Sequence, residues 1–445
     1  MTAMGPCSDD FTALAGTLGG IDCKTADPLV TVRDPSSLQS WTQPVLESLM
    51  VAGAIAALIH AILWWRRRGD AGNLGLWFAT VVYVLILEPP LYFPDRFGLA
   101  EQVGLIFVHN VFTVQFLFDR LPLYIVALYP AMTYLAYVLV QRTGILDRRN
   151  PLIGAACVAV VFHLGYEIFD QLGPGLRWWA WNPAAPSNTP MIGDAPLTSA
   201  VIFAAAAPFG TALLTRLLLA GRPLRVWRIA AVGLLTPLAM IVFSAPTVPF
   251  GPAGRAAVLW TEMAALMIVA VAAFRRGRET APIHRRRQPG RGGSGEEVDQ
   301  RPVRGSSSGE VADERQSVRG SSSGEVADER QSVRGSSGGE VAGQRQSVRG
   351  GSGEETDRRQ PARDGSGEQA GKGRLTGRDR GEPSDVWDQV MRLYAPIAGA
   401  VYLAVMALLW TAGNASPTAL AYALVCALAL LAPAARPIAD IGTRR

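Results

Sequence analysis

Long apolar segments recur along the chain, separated by short polar stretches that are rich in arginine and proline. Each is close to the ~20 residues that an α-helix needs to cross a bilayer. The pattern predicts an all-α polytopic membrane protein with a transmembrane bundle over 45–274. It excludes a soluble protein and a soluble domain on a single anchor. The predicted spans are 45–65, 73–91, 121–141, 151–171, 197–219, 229–247 and 255–274, followed by 391–411 and 418–434.

One apolar segment does not fit this series of nine spans. Residues 103–118 contain His109, Asn110 and Gln115, which are unusual in a fully crossing helix. A full crossing would also move every later arginine cluster to the other side of the membrane. We therefore expect a re-entrant or interfacial helix here, which requires protein or a wet cavity to satisfy its backbone.

The arginines predict the orientation, because cytoplasmic loops carry an excess of basic residues. Nine spans place five arginine clusters on one side. The clusters are Arg66–Arg68, Arg142 with Arg148 and Arg149, Arg222 with Arg225 and Arg228, Arg275 with Arg276 and Arg278, and Arg444 with Arg445. We expect a multi-pass protein of the plasma membrane, with its N-terminus outside and its C-terminus in the cytoplasm.

The N-terminal segment 1–44 is polar and has no basic stretch followed by an apolar one, so it does not resemble a cleavable signal peptide. Cys7 and Cys23 lie in this segment and could pair if it is exported to an oxidising compartment. Cys157 and Cys426 lie in apolar segments, where we expect inert, buried thiols.

Composition sets one region apart from the bundle. Residues 275–385 carry 22 of the 42 Lys and Arg residues and 19 of the 37 Asp and Glu residues, and they contain no aromatic residue. A repeat of fifteen residues, RGSSSGEVADERQSV, begins at Arg304. Because these residues include too few apolar positions to form a core, we expect a long disordered cytoplasmic insertion. We expect a transmembrane hairpin over 387–436 to follow it. Arg285–Arg287 could contact anionic lipid. The net charge of +5 is dispersed and does not indicate nucleic-acid binding.

Ionisable side chains at membrane depth are rare because burying them is costly, and they usually face the interior of a bundle. Glu88 ends the second span, directly before two prolines, and His109 lies in the segment that does not fit. His163, Glu167 and Asp170 are spaced i, i+4, i+7 and so share one face of a helix. We take Glu88, His109, Glu167 and Asp170 as the candidate catalytic residues.

Further polar and aromatic residues are candidates for substrate binding. The outer loop 172–196 contains three tryptophans, which form either an interfacial aromatic belt or a lid over a cavity. The candidate substrate-binding residues are Asn110, His163, Trp178, Trp181 and Glu262.

Several chemistries are compatible with these residues. A desolvated carboxyl group can donate a proton to an alkene or an epoxide. His109, His163 and Glu167 could hold a single metal ion, but four histidines are too few for a di-iron enzyme, and we expect no metal and no cofactor. Alternatively, Glu167, Asp170 and Glu262 line a transport pathway, or the polar groups only fix helix register. A non-catalytic scaffold built around the insertion is a further alternative.

A series of features over residues 80–215 carries a family resemblance. In order, they are Glu88 at a span end, the apolar stretch 103–118 with its exit Phe118–Pro122 into a tyrosine-rich span, and a helix with Glu167 and Asp170 that runs into Trp178–Pro183. This order resembles the multi-pass carotenoid-biosynthesis proteins of bacteria and archaea, the hydratase-type membrane enzymes. The resemblance implies a lipophilic substrate and assigns no catalytic residue. Our expectation is a membrane protein that binds or transforms an isoprenoid-like molecule by acid chemistry, and its status as an enzyme stays open.

Overall fold

The computed structural model describes residues 7–22, 25–279 and 384–431, which belong to one compact unit. Cys23, the fifteen-residue repeats and Arg285–Arg287 lie outside these residues, so the expectations about them stay predictions. Cys7 is disulfide-bonded. Cys157 and Cys426 are free and buried, as we expected for these two thiols.

The described part of the chain is mostly helical, which confirms the predicted fold class. The helices are α1 (Asp9–Gly16), α2 (Thr42–Arg68), α3 (Gly72–Tyr92), α4 (Leu123–Arg142), α5 (Ile145–Arg148), α6 (Pro151–Asp170), α7 (Leu197–Val201), α8 (Ala207–Leu218), α9 (Val226–Ser244), α10 (Pro252–Glu279), α11 (Ser384–Trp410) and α12 (Pro417–Leu431). A π-helical turn, Ile202–Ala206, joins α7 and α8 into one span.

Eight of the described helical segments are long and apolar enough to cross a bilayer, so the chain is an integral membrane protein. They are α2, α3, α4, α6, the α7–α8 unit, α9, α10 and α11, and their bounds lie within a few residues of the predicted spans. Helix α12 is apolar, but only fifteen residues of it are described. The ninth span therefore stays a prediction.

Local signals in the sequence explain where these helices begin and end. Helix α2 ends at Gly69, whose φ of 68° is easily reached without a Cβ, and three arginines precede this end. Helix α6 begins with Pro151, and the side chain of Asn150 accepts a hydrogen bond from the backbone N–H of Leu152. The end of α2 and the start of α6 are thus set by local sequence signals.

Helices α4 and α6 form the centre of the bundle, with 78% of each span buried, against 22% for α9 and for α11. Helix α4 packs against α2, α3 and α6, and its tyrosines Tyr124, Tyr134 and Tyr137 are among the largest fully buried side chains. Helix α11 packs against α2 and α4, and α12 packs against α6. The two C-terminal helices are therefore fixed mainly by the bundle rather than by each other.

Short strands form a cap over one end of the bundle. They are β1 (Val30–Val32), β2 (Phe107–His109), β3 (Val114–Phe116), β4 (Leu121–Pro122), β5 (Trp179–Trp181), β6 (Met191–Ile192) and β7 (Ala195–Pro196). Their pairing is antiparallel, in the sheets β1-β3-β4, β2-β5 and β6-β7. Phe107 lies opposite Trp181 and His109 lies opposite Trp179, so the cap joins the segment after α3 to the segment after α6.

The expectation of a helix over 103–118 is wrong, because this segment forms β2, β3 and irregular backbone. Gln115 replaces the missing helical hydrogen bonds: its Nε2 donates to the carbonyls of Asn110 and Asp119, at 3.0 and 2.8 Å. Leu117, Phe118 and Asp119 adopt positive φ angles, which a helix cannot contain. The backbone hydrogen-bonding groups of this segment are thus satisfied by protein, as we expected, but through strand pairing in the cap and not within a helix.

Candidate functional site

A small inner cavity of about 30 Å³ lies where the cap meets the ends of the central helices. This volume is enough for about two water molecules, so a larger group enters only if aromatic side chains of the wall move apart. Its lining residues are Glu88, Phe107, His109, Ile125, Tyr129, Tyr166, Phe169, Asp170, Trp179, Trp181 and Phe203. Three of the four candidate catalytic residues, Glu88, His109 and Asp170, thus meet at one cavity from three different elements.

Glu88 reaches the inner cavity from the last turn of α3, where it is almost fully buried. Its neighbour one turn later is the Tyr92 hydroxyl, which lies close enough to interact with the carboxyl group, although neither Glu88 Oε2 nor this hydroxyl makes a hydrogen bond of normal geometry among the described residues. Pro89 and Pro90 follow within the helix, and each removes a backbone donor close to the carboxyl group. Because a buried polar atom without a partner is costly, this site is a natural place for a ligand.

His109 ends strand β2 and lies among aromatic rings. Its Nδ1 shares a hydrogen bond of 2.9 Å with the hydroxyl of Tyr124, while its buried Nε2 has no partner in the described structure. The rings of Tyr92 and Trp179 lie 5.8 and 6.1 Å from the imidazole. Burial lowers the pKa of His109 from 6.5 to about 3, so the ring is neutral at physiological pH.

Asp170 is the last residue of α6, and its carboxyl group is held in place by the start of α7. The Ser199 hydroxyl donates to Asp170 Oδ2 at 2.9 Å. This bond connects two central helices next to the inner cavity, so the carboxyl group lies on rigid elements rather than on a loop.

Aromatic rings form most of the remaining wall. Trp179 and Trp181 belong to β5, and the buried indole nitrogen of each lacks a partner among the described residues. Phe203 belongs to the π-helical turn, and such turns alter the direction in which a side chain leaves a helix. Trp179 and Trp181 line the cavity from the cap, which is where a lid would lie.

The structure directs Glu167 and His163 away from the inner cavity, although they share a helix with Asp170. The His163 Nδ1–H donates to the carbonyl of Ala200 at 3.1 Å, and its Nε2 pairs with the Tyr422 hydroxyl at 2.9 Å. Glu167 Oε2 accepts a bond of 3.1 Å from Gln171. His163 therefore connects α6 to α7 and α12, whereas the Glu167 bond stays within the end of α6 and its Oε1 has no hydrogen bond among the described residues; neither residue lines the cavity.

The other predicted binding residues also lie outside the cavity wall. Asn110 donates to the carbonyl of Arg177 at 2.7 Å, which holds the cap together. Trp178 is fully buried behind the cavity, where its indole donates to Thr42 Oγ1 at 3.1 Å. Glu262 is half-buried on α10, and its Oε2 has no partner among the described residues. Of Glu167, Asp170 and Glu262, only Asp170 lines the inner cavity.

Sequence reasoning missed Tyr92, Tyr129, Tyr166 and Phe203. Tyr92 follows Glu88 by four residues, a spacing that places both on one helix face and could have indicated it. The two other tyrosines lie among many in apolar spans, where nothing separates a core position from a cavity position. No local signal indicates Phe203, because its direction depends on the π-helical turn.

Arg120 fixes the end of α3 beside this site. Its guanidinium lies between the rings of Phe11 and Phe93, at 3.9 and 4.2 Å, and donates to the carbonyl of Tyr92. A cation at the C-terminus of a helix satisfies a carbonyl that has no intrahelical donor. Burial lowers the pKa of Arg120 to about 10, so the side chain stays charged at neutral pH.

Among the described residues, no group of three or more His, Cys, Asp or Glu side chains is placed to hold a metal ion. The chemistry available at the inner cavity comes from two carboxyl groups, one neutral imidazole and aromatic rings.

Comparisons with known proteins find one family. Residues 23–222 match the model described as Domain of unknown function (DUF7802). This match covers less than half of the chain, yet it includes every residue that lines the inner cavity. No curated protein matches the chain, and no solved structure matches it.

Proposed function

We propose that this protein binds an isoprenoid-like lipophilic molecule in the inner cavity and protonates one of its double bonds. The observation that carries the proposal is the meeting of Glu88, His109 and Asp170 at one aromatic cavity. His109 Nε2 is buried without a partner among the described residues, and Glu88 Oε2 has only the Tyr92 hydroxyl beside it. Structural polar groups inside a protein are normally paired, so unpaired ones in a cavity favour a role toward a ligand.

In the proposed reaction, Glu88 is the general acid. Its proton and the π electrons of the double bond form a new C–H bond, which leaves a carbocation on the neighbouring carbon. The faces of aromatic rings attract a cation that is held close to them, and Trp179 and Trp181 are suited to this role. Apolar walls and stabilisation of a developing positive charge are the two requirements of such chemistry.

Asp170 is the proposed base that completes the reaction. It takes a proton either from a carbon next to the cation, which moves the double bond, or from a water molecule that adds to the cation. The proton returns to Glu88 before the next turnover, so the protein is unchanged. His109, which is neutral, orients the reacting group or the water through Nε2, while Tyr124 fixes its ring.

We further propose that the protein resides in the plasma membrane with its cap outside. Arg66, Arg142, Arg222 and Arg275 lie at or beside helix ends that are opposite to the cap, as cytoplasmic residues should. The disulfide at Cys7, on the cap side, is in keeping with an oxidising exterior. The N-terminus would then be outside, and residues 275–385 would be cytoplasmic.

The experiment uses the full chain in phosphatidylcholine nanodiscs and geranylgeraniol, a twenty-carbon isoprenoid alcohol, in heavy water. Protonation of a double bond would insert deuterium into carbon, and mass spectrometry would detect it with or without addition of water. We expect Glu88→Gln to slow deuterium uptake by about 10²–10⁴-fold, the usual contribution of a general acid. Glu262→Gln is the matched control, because Glu262 lies in another span and does not line the cavity. Equal rates in wild type and Glu88→Gln, or no uptake in any variant, would refute the proposed chemistry.

A further inference from the structure

A second cavity, the apolar cleft, lies between the central helices and the C-terminal pair. It has a volume of about 230 Å³ and is lined by residues of α4, α6, α11 and α12, among them Met132, Phe162, Gly165 and Gly399. Its lining is almost wholly apolar, with Tyr402 as the exception. The Tyr402 hydroxyl is already used, since it donates to the carbonyl of Gly165 at 2.7 Å.

The packing of the C-terminal helices explains why this space exists. Helix α11 lies on α2 and α4, whereas α12 lies on α6, so the two helices diverge over the α4–α6 surface. Polar contacts fix both helices: on α11 Tyr402 donates to Gly165, whereas Tyr422 of α12 pairs with His163 and the backbone N–H of Ser416, just before α12, donates to Asp194 at 2.9 Å. Because these contacts hold the helices at defined positions, the cleft is a feature of the fold rather than of loose packing.

Only one layer of side chains separates the apolar cleft from the inner cavity. Phe162 lines the cleft and Tyr166 lines the cavity, and their rings stack at 5.5 Å. On α4, Tyr129 lines the cavity, and Met132, three residues later, lines the cleft. Methionine is flexible and adapts its shape readily, so this layer can yield to a chain that passes through it.

The two cavities follow each other along the axis of the bundle. The cleft continues along α4 to Leu139, ten residues beyond Tyr129, which corresponds to about 15 Å of helix rise. The inner cavity has two carboxyl groups and an imidazole in its wall, whereas the wall of the cleft is almost wholly apolar. This arrangement suits a ligand with one reacting end and a long hydrocarbon tail.

We propose that the apolar cleft binds the tail of the same isoprenoid chain whose reacting end occupies the inner cavity, past the Phe162–Tyr166 pair. This inference rests on the proposed function and specifies its substrate class: a linear hydrocarbon chain that is too long for the inner cavity alone. Only the reacting end of the chain would enter the small inner cavity, so a longer tail would gain its affinity from the cleft.

The experiment uses two photoreactive analogues of geranylgeraniol, with a diazirine either beside the hydroxyl end or on the last isoprene unit. Each is cross-linked to the full chain in phosphatidylcholine nanodiscs, and the labelled peptides are identified by mass spectrometry. Either end of the analogue could be the one that reacts, so the two analogues together must label 107–129 or 166–181 with one end and 132–139, Ala395, Gly399, Tyr402 or Leu403 with the other.

Gly399→Phe tests the cleft directly. A Cβ at Gly399 meets no atom within 4 Å, so the larger side chain fits without displacing backbone and fills the cleft. Ile397→Phe is the control on the same helix, because Ile397 is 56% exposed and faces away from the bundle interior. We expect Gly399→Phe to reduce labelling within the cleft about tenfold, equivalent to ~1.4 kcal/mol of lost affinity, and Ile397→Phe to leave it unchanged. Labelling of the inner cavity by a ten-carbon analogue should survive in both variants.

The outcomes separate this inference from the proposed function. If the cavity is labelled but the other end labels only outward-facing residues such as Ile397, the tail site is wrong and the proposed function stands. The same conclusion follows if Gly399→Phe leaves cleft labelling unchanged. If neither end labels the inner cavity, the proposed function fails, and the tail site fails with it.

Discussion

Glu47 is the anchor that holds the cap on the bundle, and removing it should destabilise the protein measurably. This buried residue lies near the start of α2, and its two carboxylate oxygens accept hydrogen bonds from the backbone N–H groups of Thr113 and Val114, both at 3.1 Å. Glu47→Ala would leave both donors without their acceptor. A hydrogen bond to a charged group contributes about 1.5–3 kcal/mol. Thr113 and Val114 are partly exposed, so water recovers some of the loss. We therefore take the lower value twice and expect a loss of about 3 kcal/mol.

Two buried thiols provide the assay. Cys157 and Cys426 are free and almost fully inaccessible, so a thiol-reactive fluorogenic dye should report the unfolding of the bundle. A loss of 3 kcal/mol corresponds to a decrease of about 6 °C in the apparent midpoint for a chain of this kind. Glu47→Gln keeps one acceptor and should give a smaller decrease.

Glu101→Ala is the matched control, because Glu101 is an exposed carboxylate of the same cap. It should leave the midpoint unchanged. A midpoint for Glu47→Ala within 1 °C of wild type would refute the reasoning, because it would mean that the two hydrogen bonds do not hold the cap.

Three further predictions concern the inner cavity and the C-terminal helices. Burial lowers the pKa of His109 to about 3, so below pH 6.5 the unfolded chain binds a proton that the folded chain excludes. The free energy of unfolding should therefore fall by about 2 kcal/mol between pH 7 and pH 5 because of this group. Chemical unfolding of wild type and of His109→Phe should differ by this pH-dependent part. Gly173→Ala should weaken geranylgeraniol binding and lower stability by ~1–3 kcal/mol, since its Cβ would lie 1.9 Å from the ring of Trp179 and must displace this wall residue. Tyr422→Phe removes a bond to His163 worth about 1 kcal/mol and should speed the labelling of Cys426 on α12.

Each of these predictions has a control and a contrary outcome. Parallel pH dependences in wild type and His109→Phe would show that His109 is not protected from protonation. Gly251→Ala, where an added Cβ meets no atom within 4 Å, should leave binding intact, and equal behaviour of Gly173→Ala would contradict the close contact. Cys157 on α6 is the internal reference for the thiol assay; faster labelling of both thiols would indicate general unfolding instead of release of α12.

The sequence predicts the spans well because a bilayer requires long apolar helices, and their ends carry arginine, proline or glycine. The predicted span 151–171 and the helix Pro151–Asp170 differ by a single residue. The sequence could not predict the cap. The apolar stretch 103–118 has the composition of a helix, and its strands depend on long-range pairing with 30–32 and 179–181.

The candidate site could be predicted in part, for a physical reason. Carboxyl groups in apolar helices are costly, so Glu88 and Asp170 stood out, and both line the inner cavity. Burying the Glu167 carboxyl group is equally costly, but periodicity does not indicate which residues surround a given helix face. In the structure Glu167 accepts a hydrogen bond from Gln171 and does not line the cavity. Phe203 depends on an irregular turn.

The central claim is that Glu88, His109 and Asp170 act together on a lipophilic molecule in the inner cavity. The most direct measurement is cryo-electron microscopy of the full chain in nanodiscs with geranylgeraniol. We predict density for an isoprenoid chain in the inner cavity, in contact with the Glu88 carboxyl group and within reach of His109 and Asp170. An empty cavity with the isoprenoid bound elsewhere, or the three side chains facing separate surroundings, would contradict the claim.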